Sequence, residues 1–328
     1  MKQATSIAAL GSAVVDRILQ EARANKGDLH RQQLTGKLLG MLFFNPSLRT
    51  RASFEAVMLR GGGHALVLEA GNTWKLETET GAIMDRDCPE HLRDAAPVLS
   101  RYVDALAIRT FAGLTSDDLD HRDQVIRAFE QHAGVPVISM ESAREHPCQG
   151  LADLMTIEEQ FGSARRLPVA LTWAPHIKPL PKAVPNSFLL TAAMRGCDIR
   201  IAHPPGFELH ASILGEANEH AAASGGRIGV FHNQADALRG ARVIYAKAWG
   251  PTTSSHLGAQ AVREHDDWML APEHLRQAVE DAIFLHCLPV RRNVEVADAV
   301  LDGPQSRVVD EAENRFHVQR ALLEWIFS

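Results

Sequence analysis

Short runs of aliphatic residues alternate along the chain with longer segments in which apolar residues recur every three or four positions. Short apolar runs are typical of buried strands, whereas the longer periodic segments are typical of amphipathic helices. Their alternation predicts βα units and parallel sheets, which is an α/β fold. The predicted strands are 38–44, 65–69, 104–109, 135–140, 169–173, 199–203, 227–231, 242–247 and 283–287.

The same pattern suggests two sheets joined by a helix. Four predicted strands lie before residue 141 and five lie after it. The segment 146–161 between the two groups carries apolar residues on one helical face, so we expect it to connect two open parallel sheets. We therefore predict a first domain over residues 1–148 and a second over 149–311. An amphipathic pattern near residues 7–18, interrupted by Asp16 and Arg17, predicts a helix of the mature protein rather than a signal peptide.

Composition excludes several classes of protein. The chain has 328 residues, and its 34 Lys and Arg against 40 Asp and Glu give a net charge of −6, which argues against a general nucleic-acid surface. The longest apolar stretch, 38–44, is far shorter than the ~20 residues that span a bilayer. The cysteines are widely spaced with no C-x-x-C pair, which indicates neither a zinc site nor a disulfide framework and fits a cytoplasmic location. They are Cys88, Cys148, Cys197 and Cys287.

Polar and charged residues stand directly after many of the predicted strands. Ligands of open α/β sheets collect outside the carboxyl ends of the strands, where loops and helix N-termini converge. These positions are therefore candidates for a binding site. They are 45–50, Arg109, 141–146, His176, Lys247 and 287–292.

The first of these segments has the properties of an anion site. The sequence FFNPSLRTRASFE leads from a strand into a helix whose first turn holds Ser47, Arg49 and Thr50. Free N–H groups, hydroxyls and a guanidinium at a helix N-terminus bind anions. The alternative is a Ser N-cap followed by solvated arginines. Neither G-x-x-x-x-G-K-[ST] nor G-x-G-x-x-G occurs, so the motifs of P-loop and dinucleotide-binding proteins are absent.

Two further motifs place reactive side chains at strand ends. HPCQG at 146–150 opens the connecting helix, and HCLPVRRN at 286–293 follows the last strand. The alternatives are a histidine that caps the helix and a buried cysteine followed by a solvated turn. Cys287 has no base partner nearby in sequence, so a thiol nucleophile is its weaker functional interpretation.

These three motifs together resemble one family. SLRTR at 47–51, HPCQ at 146–149 and HCLP at 286–289, in this order and spacing, are similar to the aspartate/ornithine carbamoyltransferases. The resemblance extends from about residue 36 to 325. Segments 74–81, 172–188, 245–250 and 310–319 are similar to the branch that uses N-acylated ornithines, and the S-M-G loop of plain ornithine enzymes is not found.

The resemblance implies an architecture. It implies two Rossmann-like domains, a helix 312–328 that packs back on the first domain, and a chain knotted through the proline-rich loop near 176–185, an exception to the usual absence of knots. It also implies a homotrimer with shared active sites, in which Trp74 reaches a neighbour's carbamoyl phosphate. The alternative for Trp74 is core packing. No metal or organic cofactor is implied.

The resemblance also implies site residues. The residues expected to bind carbamoyl phosphate are Ser47, Leu48, Arg49, Thr50, Trp74, Arg109, His146, Gln149, Cys287, Leu288 and Arg315. Among them Arg109, His146 and Thr50 are expected to stabilise negative charge on the carbonyl oxygen. Cys287 is a candidate for local assistance to deprotonation rather than the base. The residues expected to bind N-acylornithine are Glu141, His176, Lys247, Leu288, Arg291 and Pro89.

Pro89 bears on the acyl group of the substrate. Acetyl-specific relatives carry a glutamate at its place and succinyl-specific relatives carry proline, so the resemblance favours N-succinyl-L-ornithine, with N-acetyl-L-ornithine as the alternative. The expected products are N-succinyl-L-citrulline and phosphate, in arginine biosynthesis. A catalytically silent homologue and an enzyme for another amine such as putrescine are the remaining alternatives. Retained phosphate-site residues argue against the former, and Lys247 with Arg291 argues against the latter.

Overall fold

The computed structural model describes residues 1–70, 74–79, 81–252 and 264–328. All nine predicted strands are confirmed within two residues at each end, and the α/β fold class is confirmed with them. Two strands of two residues each, β3 and β4, add to the prediction. The strands are β1 Leu38–Phe43, β2 His64–Glu69, β3 Leu76–Glu77, β4 Glu90–His91, β5 Ala105–Arg109, β6 Val137–Glu141, β7 Pro168–Trp173, β8 Asp198–Ala202, β9 Arg227–Phe231, β10 Val243–Lys247 and β11 Ile283–Leu285.

Helices separate most of the strands, as the βα pattern requires. The described α-helices are Ile7–Ala24, Leu48–Arg60, Leu92–Leu99, Asp117–His121, Gln124–His132, Pro147–Phe161, Ala183–Met194, Ala211–Ser224, Gln234–Leu238, Pro272–Leu275, Asp298–Leu301 and Val308–Phe327. Ser6 caps the first of these, because its side chain accepts a hydrogen bond from the Ala9 N–H at 3.0 Å. None of the helices in the described ranges is long and apolar enough to cross a membrane.

The first sheet has the strand order β2-β1-β5-β6, and its neighbouring strands are parallel. Strand β1 reads LLGMLF, and five of its six residues are buried, as expected for a strand covered on both faces. The chain leaves β1 towards β2 on one side and later adds β5 on the other. The carboxyl ends of β1 and β5 therefore flank the point where the winding direction reverses, which is where open sheets bind ligands.

The second sheet has the order β11-β10-β7-β8-β9 and is also parallel. Here the reversal lies between β7 and β10, whose last residues Trp173 and Lys247 are paired in register. The helix Ala183–Met194 has no exposed face, since eleven of its twelve residues are buried. His176 follows β7 and Lys247 ends β10, so the fold places both at the second reversal point.

The chain divides into two compact units. The first comprises Met1–Ala112, Arg122–Cys148 and Arg315–Ser328, and the second comprises Gly113–His121 and Gln149–Asn314. Both later boundaries fall inside helices, Pro147–Phe161 and Val308–Phe327. Residues 113–121 lie within the span predicted for the first domain but belong to the second unit. Lys182 holds this segment through Asp117 at 2.9 Å, and His210 holds it through Asp118 at 3.0 Å.

Candidate active site

The helix Leu48–Arg60 begins directly after β1 and brings the first motif to the end of the first sheet. Ser47 is its N-cap and accepts a hydrogen bond from the Thr50 N–H at 3.2 Å. The first turn contains no acidic residue. Leu48 is 85% exposed, whereas Thr50 is 1% exposed. The result is a helix N-terminus at the positive end of the helix dipole, with no acidic side chain in its first turn, an arrangement that favours anions.

Three arginines of the first unit lie in or beside this turn. Thr50 Oγ1 accepts hydrogen bonds from Arg315 Nη2 at 2.9 Å and from Arg109 Nη1 at 3.4 Å. Arg109 comes from the end of β5 and Arg315 from the C-terminal helix Val308–Phe327, and both are buried. Arg49 belongs to the helix turn itself. We call Arg49, Arg109, Arg315, Thr50 and His146 the arginine cluster.

One carboxylate balances part of this positive charge. Glu141 ends β6, the neighbour of β5, and its Oε2 lies 2.6 Å from Arg109 Nη1. The guanidinium of Arg109 also stacks over the Phe111 ring, 4.5 Å from its centroid. Glu141 therefore belongs to the first unit and is bound to Arg109. A cluster with three guanidinium groups and this one carboxylate keeps an excess of positive charge for a dianion.

His146 lies among these charged side chains. It is 2% exposed, and its Nε2 is 3.8 Å from Glu141 Oε2. Burial lowers the pKa of His146 well below its ordinary value, and the charges of Arg315, Arg109 and Arg49 lower it further. The imidazole is therefore neutral at pH 7, so that it carries one N–H donor and one acceptor.

In the second unit, Gln149 is held by two carboxylates. Its Nε2 donates to Asp153 Oδ1 at 2.7 Å and to Glu311 Oε1 at 2.8 Å, and all three side chains are buried. Glu311 Oε2 also accepts a hydrogen bond from the His286 backbone N–H at 2.9 Å. One carboxylate thus holds both the Gln149 side chain and the start of the HCLP motif.

The HCLP motif forms a tight turn after β11. His286 Nδ1 accepts a hydrogen bond from the Leu288 N–H at 2.9 Å, so Nε2 carries the proton and donates to Glu295 Oε2 at 3.0 Å. Leu288 has a φ of 53°, in the left-handed region that a leucine rarely occupies, and the bond to Pro289 is cis. The His286 ring supports this strained backbone. Cys287 is 8% exposed.

His176, Arg291, Glu295 and Lys247 converge at the reversal point of the second sheet. His176 Nε2 accepts a hydrogen bond from Arg291 Nε at 3.0 Å and lies 3.5 Å from Glu295 Oε1. Burial lowers the pKa of His176, which keeps its ring neutral. Burial acts to raise the pKa of Glu295, but the hydrogen bond from His286 and the charge of Lys247 outweigh it and hold that pKa below its usual range. Glu295 is therefore an anion, and the positive charge of Lys247 stabilises it.

Trp74 and Pro89 lie at the two-stranded ladder of β3 and β4 in the first unit. The Trp74 indole N–H donates to Glu90 Oε2 at 2.5 Å, and Trp74 is 61% exposed. Core packing within this chain is therefore excluded for Trp74. Pro89 is exposed and directly precedes β4. The segment 74–81 that carries the resemblance includes residue 80, which lies outside the described residues.

The fold thus gathers the predicted residues into four groups. Ser47 to Thr50, Arg109, Glu141, His146 and Arg315 lie together in the first unit, and Trp74 and Pro89 share the β3–β4 ladder. Gln149 and the HCLP turn are joined through Glu311, and His176, Lys247 and Arg291 surround Glu295. The sequence analysis missed Asp153, Glu295 and Glu311, because no motif marks a carboxylate whose partners are distant in sequence. Within the described ranges, no group of three or more His, Cys, Asp and Glu residues could hold a metal ion.

The comparisons with known proteins identify the family of the chain. Residues 2–159 match the carbamoyl-P binding domain of the aspartate/ornithine carbamoyltransferases, and residues 181–326 match their Asp/Orn binding domain. Two parallel sheets, each with polar side chains at its reversal point, define an α/β protein of two compact units, the first of which has arginines at a helix N-terminus. The chain belongs to the aspartate/ornithine carbamoyltransferase family.

Particular relatives are similar over most of their length. The chain is 39% identical over 317 residues to an N-acetylornithine carbamoyltransferase of Xanthomonas campestris pv. campestris, covering 95% of this chain and 93% of that one. It is 43% identical over 280 residues to an N-succinylornithine carbamoyltransferase of Bacteroides thetaiotaomicron, covering 85% and 84%.

Solved structures of acetylornithine transcarbamylase match the fold closely. The structure complexed with acetylcitrulline matches with a TM-score of 0.96 and 37% identity, over 99% of both chains. A variant of that enzyme with one glutamate replaced by proline was solved with carbamyl phosphate and N-succinyl-L-norvaline. It matches with a TM-score of 0.95 and 37% identity, over 99% of this chain and 100% of that one.

Proposed function

We propose that the protein transfers the carbamoyl group of carbamoyl phosphate to the δ-amine of N-succinyl-L-ornithine, giving N-succinyl-L-citrulline and phosphate. The observation that carries the proposal is the buried arginine cluster at the N-terminus of the helix Leu48–Arg60. A dianionic phosphate is the ligand that such an excess of positive charge favours. Membership of the carbamoyltransferase family supports the identity of the donor.

In this proposal the arginine cluster binds and activates carbamoyl phosphate. Ser47, Leu48, Arg49 and Thr50 bind the phosphate through backbone N–H groups and the guanidinium. Arg109, Thr50 and neutral His146 donate hydrogen bonds to the carbonyl oxygen as negative charge grows on it. Because these donors are already held in place, they lose little by reorganising during the reaction. Arg315 neutralises further phosphate charge.

The second unit supplies the contacts for N-acylornithine. Lys247 and Arg291 carry positive charges that suit substrate carboxylates, and His176 orients Arg291 through their 3.0 Å hydrogen bond. The Cys287 and Leu288 carbonyls accept hydrogen bonds from the δ-amine and the carbamoyl NH₂. The strained backbone at Leu288 supports a role in placing these carbonyls. Cys287 gives local assistance to deprotonation, and Glu141 of the first unit is the remaining expected contact.

The succinyl group is favoured by Pro89. A succinyl group carries one carboxylate more than an acetyl group, and a glutamate beside it would repel it. Proline removes that charge. The structure of the glutamate-to-proline variant with N-succinyl-L-norvaline supports this reasoning. The N-acetylornithine carbamoyltransferases at 39% identity favour the alternative acceptor, N-acetyl-L-ornithine.

The active form in this proposal is a homotrimer with Trp74 acting on the carbamoyl phosphate of a neighbouring subunit. The exposure of Trp74, at 61%, supports a contact outside its own chain. Trp74 donates a hydrogen bond to Glu90, which directly follows Pro89 in sequence and begins β4. Pro89, which favours the succinyl group, and Trp74, which contacts the neighbouring subunit in this proposal, therefore lie beside the same ladder.

A parallel activity assay tests the proposal. Phosphate release from carbamoyl phosphate is measured with N-succinyl-L-ornithine, N-acetyl-L-ornithine, L-ornithine and putrescine as acceptors. The highest kcat/KM is expected with N-succinyl-L-ornithine. A higher kcat/KM with N-acetyl-L-ornithine would establish the alternative acceptor, and no phosphate release with any acceptor would indicate a silent homologue.

A further inference from the structure

The side-chain amide of Gln149 can adopt only one orientation. Both protons of its Nε2 are used, one by Asp153 at 2.7 Å and one by Glu311 at 2.8 Å. Ionised carboxylates only accept hydrogen bonds. A reversed amide would turn its carbonyl oxygen towards two carboxylate oxygens, and this arrangement is repulsive. The carboxylates therefore decide that Nε2 faces them and that Oε1 faces away.

The Oε1 atom of Gln149 is a buried acceptor. In the part of the chain that the structure describes, no donor reaches this oxygen. The residue is 1% exposed, so bulk water does not solvate it freely. Buried acceptors are stabilised by a donor and oppose an apolar group at the same place. Gln149 therefore favours a ligand that carries an N–H or O–H group.

Glu311 connects this acceptor to the HCLP turn. It lies in the first turn of the C-terminal helix and is 0% exposed. Its Oε1 holds Gln149, and its Oε2 holds the His286 N–H at 2.9 Å. A shift of this single carboxylate would therefore move both the amide and the backbone that carries the Cys287 and Leu288 carbonyls.

We propose that Asp153 and Glu311 are positioning residues that hold Gln149 as an acceptor and thereby make the enzyme select carbamoyl phosphate over acyl phosphates without an N–H group. The inference rests on the proposed function, with carbamoyl phosphate as the donor and with Gln149 among the residues expected to bind it. Acetyl phosphate has the same charge and nearly the same shape, with a methyl group in place of the NH₂. Opposite a methyl group, Gln149 Oε1 stays buried without a donor, and sites of this kind reject such analogues strongly.

The test compares carbamoyl phosphate with acetyl phosphate in the intact enzyme. KM for carbamoyl phosphate and the inhibition constant of acetyl phosphate are measured in the wild type, in Glu311→Gln and in Asp153→Asn. Each variant keeps the shape of the side chain but offers an NH₂ group to Gln149, so the amide is no longer confined to one orientation. The expected result is a rise of about 10- to 100-fold in KM for carbamoyl phosphate with an inhibition constant changed less than about threefold.

Asp310→Asn is the matched control, because Asp310 precedes Glu311 in the same helical turn but is exposed. It loses the same charge and should leave both constants unchanged. If both constants rise together in Glu311→Gln or Asp153→Asn, the carboxylates act only on the fold and the inference is overturned. If one variant does not fold, the other decides the result. Failure of the wild type to use carbamoyl phosphate at all would overturn the proposed function instead.

Discussion

Thr50 is the residue at which three elements of the first unit meet. Its backbone belongs to the helix after β1, and its hydroxyl accepts hydrogen bonds from Arg109 at the end of β5 and Arg315 of the C-terminal helix. The alternative interpretation of this motif, a Ser N-cap followed by solvated arginines, describes only part of it. Ser47 is indeed the N-cap, and Arg51 is solvated, but Thr50 is buried among guanidinium groups.

Arg49→Ala should reduce kcat/KM for carbamoyl phosphate by roughly 10- to 150-fold, because a hydrogen bond to a charged group contributes ~1.5–3 kcal/mol. Steady-state kinetics measure the change. Arg51→Ala is the control, since Arg51 lies two positions further on and pairs with Glu55 and Glu69 at the surface. Equal kinetic losses in the two variants would show that helix charge in general, rather than Arg49, binds the phosphate.

His146 gives a prediction for pH. Its pKa is lowered in the folded state, so the unfolded chain binds more protons below about pH 6.5 and the free energy of unfolding falls as pH falls. One such group changes that free energy by up to about 1.4 kcal/mol per pH unit. Denaturant unfolding of the wild type and of His146→Gln between pH 7.5 and 5 should show a shallower slope in the variant.

Other buried histidines do not disturb this comparison. His176 and His203 also have pKa values lowered by burial, but they are present in both proteins and cancel in the difference. His30→Gln, at an exposed position, should keep the slope of the wild type. Identical slopes for His146→Gln and the wild type would mean that His146 is not held neutral by the fold.

The ladder of β3 and β4 is the element to which the proposed function assigns substrate preference. Its strands have two residues each and pair Leu76 with Glu90 and Glu77 with His91. The ion pair of Lys75 with Asp87 and the Trp74–Glu90 hydrogen bond connect the segments that lead into the two strands. Pro89 thus lies in a segment fixed by local contacts, so a substitution there alters charge more than fold.

Pro89→Glu should shift preference from N-succinyl-L-ornithine towards N-acetyl-L-ornithine. Like charges 4 Å apart cost about 4 kcal/mol at an effective dielectric constant of about 20, and solvent at this exposed loop reduces the cost. We expect a reversal of selectivity rather than exclusion. The ratio of kcat/KM values for the two substrates measures it. Pro89→Ala separates charge from turn rigidity, and an unchanged ratio in Pro89→Glu would refute the charge argument.

For the whole molecule, the prediction concerns assembly. An exposed Trp74 acting on a neighbour requires that a complete site takes Arg49 from one subunit and Trp74 from another. Trp74→Ala and Arg49→Ala should each be nearly inactive. Co-expressed in equal amounts they should recover roughly a quarter of wild-type activity, because random mixing in a cyclic trimer restores one site in three in three quarters of the trimers.

Light scattering and sedimentation check the trimer itself before the activities are compared. Separately purified variants mixed without exchange of subunits serve as the control, since they should stay inactive. Mixed trimers that form and show no recovered activity would contradict sharing of the site, and a monomer in solution would contradict the assembly.

The sequence by itself determined the nine main strands, the connecting helix and the motifs at the strand ends. It could do so because these features depend on local patterns, namely apolar runs, helical spacing and polar residues that follow a strand. The two-residue strands β3 and β4 were missed, since two residues are too few to show a repeating pattern of apolar and polar positions. The local pattern also gave no sign that residues 113–121 contact the second unit, because their partners Lys182 and His210 lie more than sixty positions away.

Only the tertiary structure decided the chemical state and the support of the site residues. The neutrality of His146 follows from burial beside arginines that belong to three separate elements. The roles of Glu295 and Glu311 follow from hydrogen bonds to residues that other parts of the chain bring to them. Local sequence specifies which segments become strands and helices, but burial and charge at a point arise from every segment that the fold gathers there.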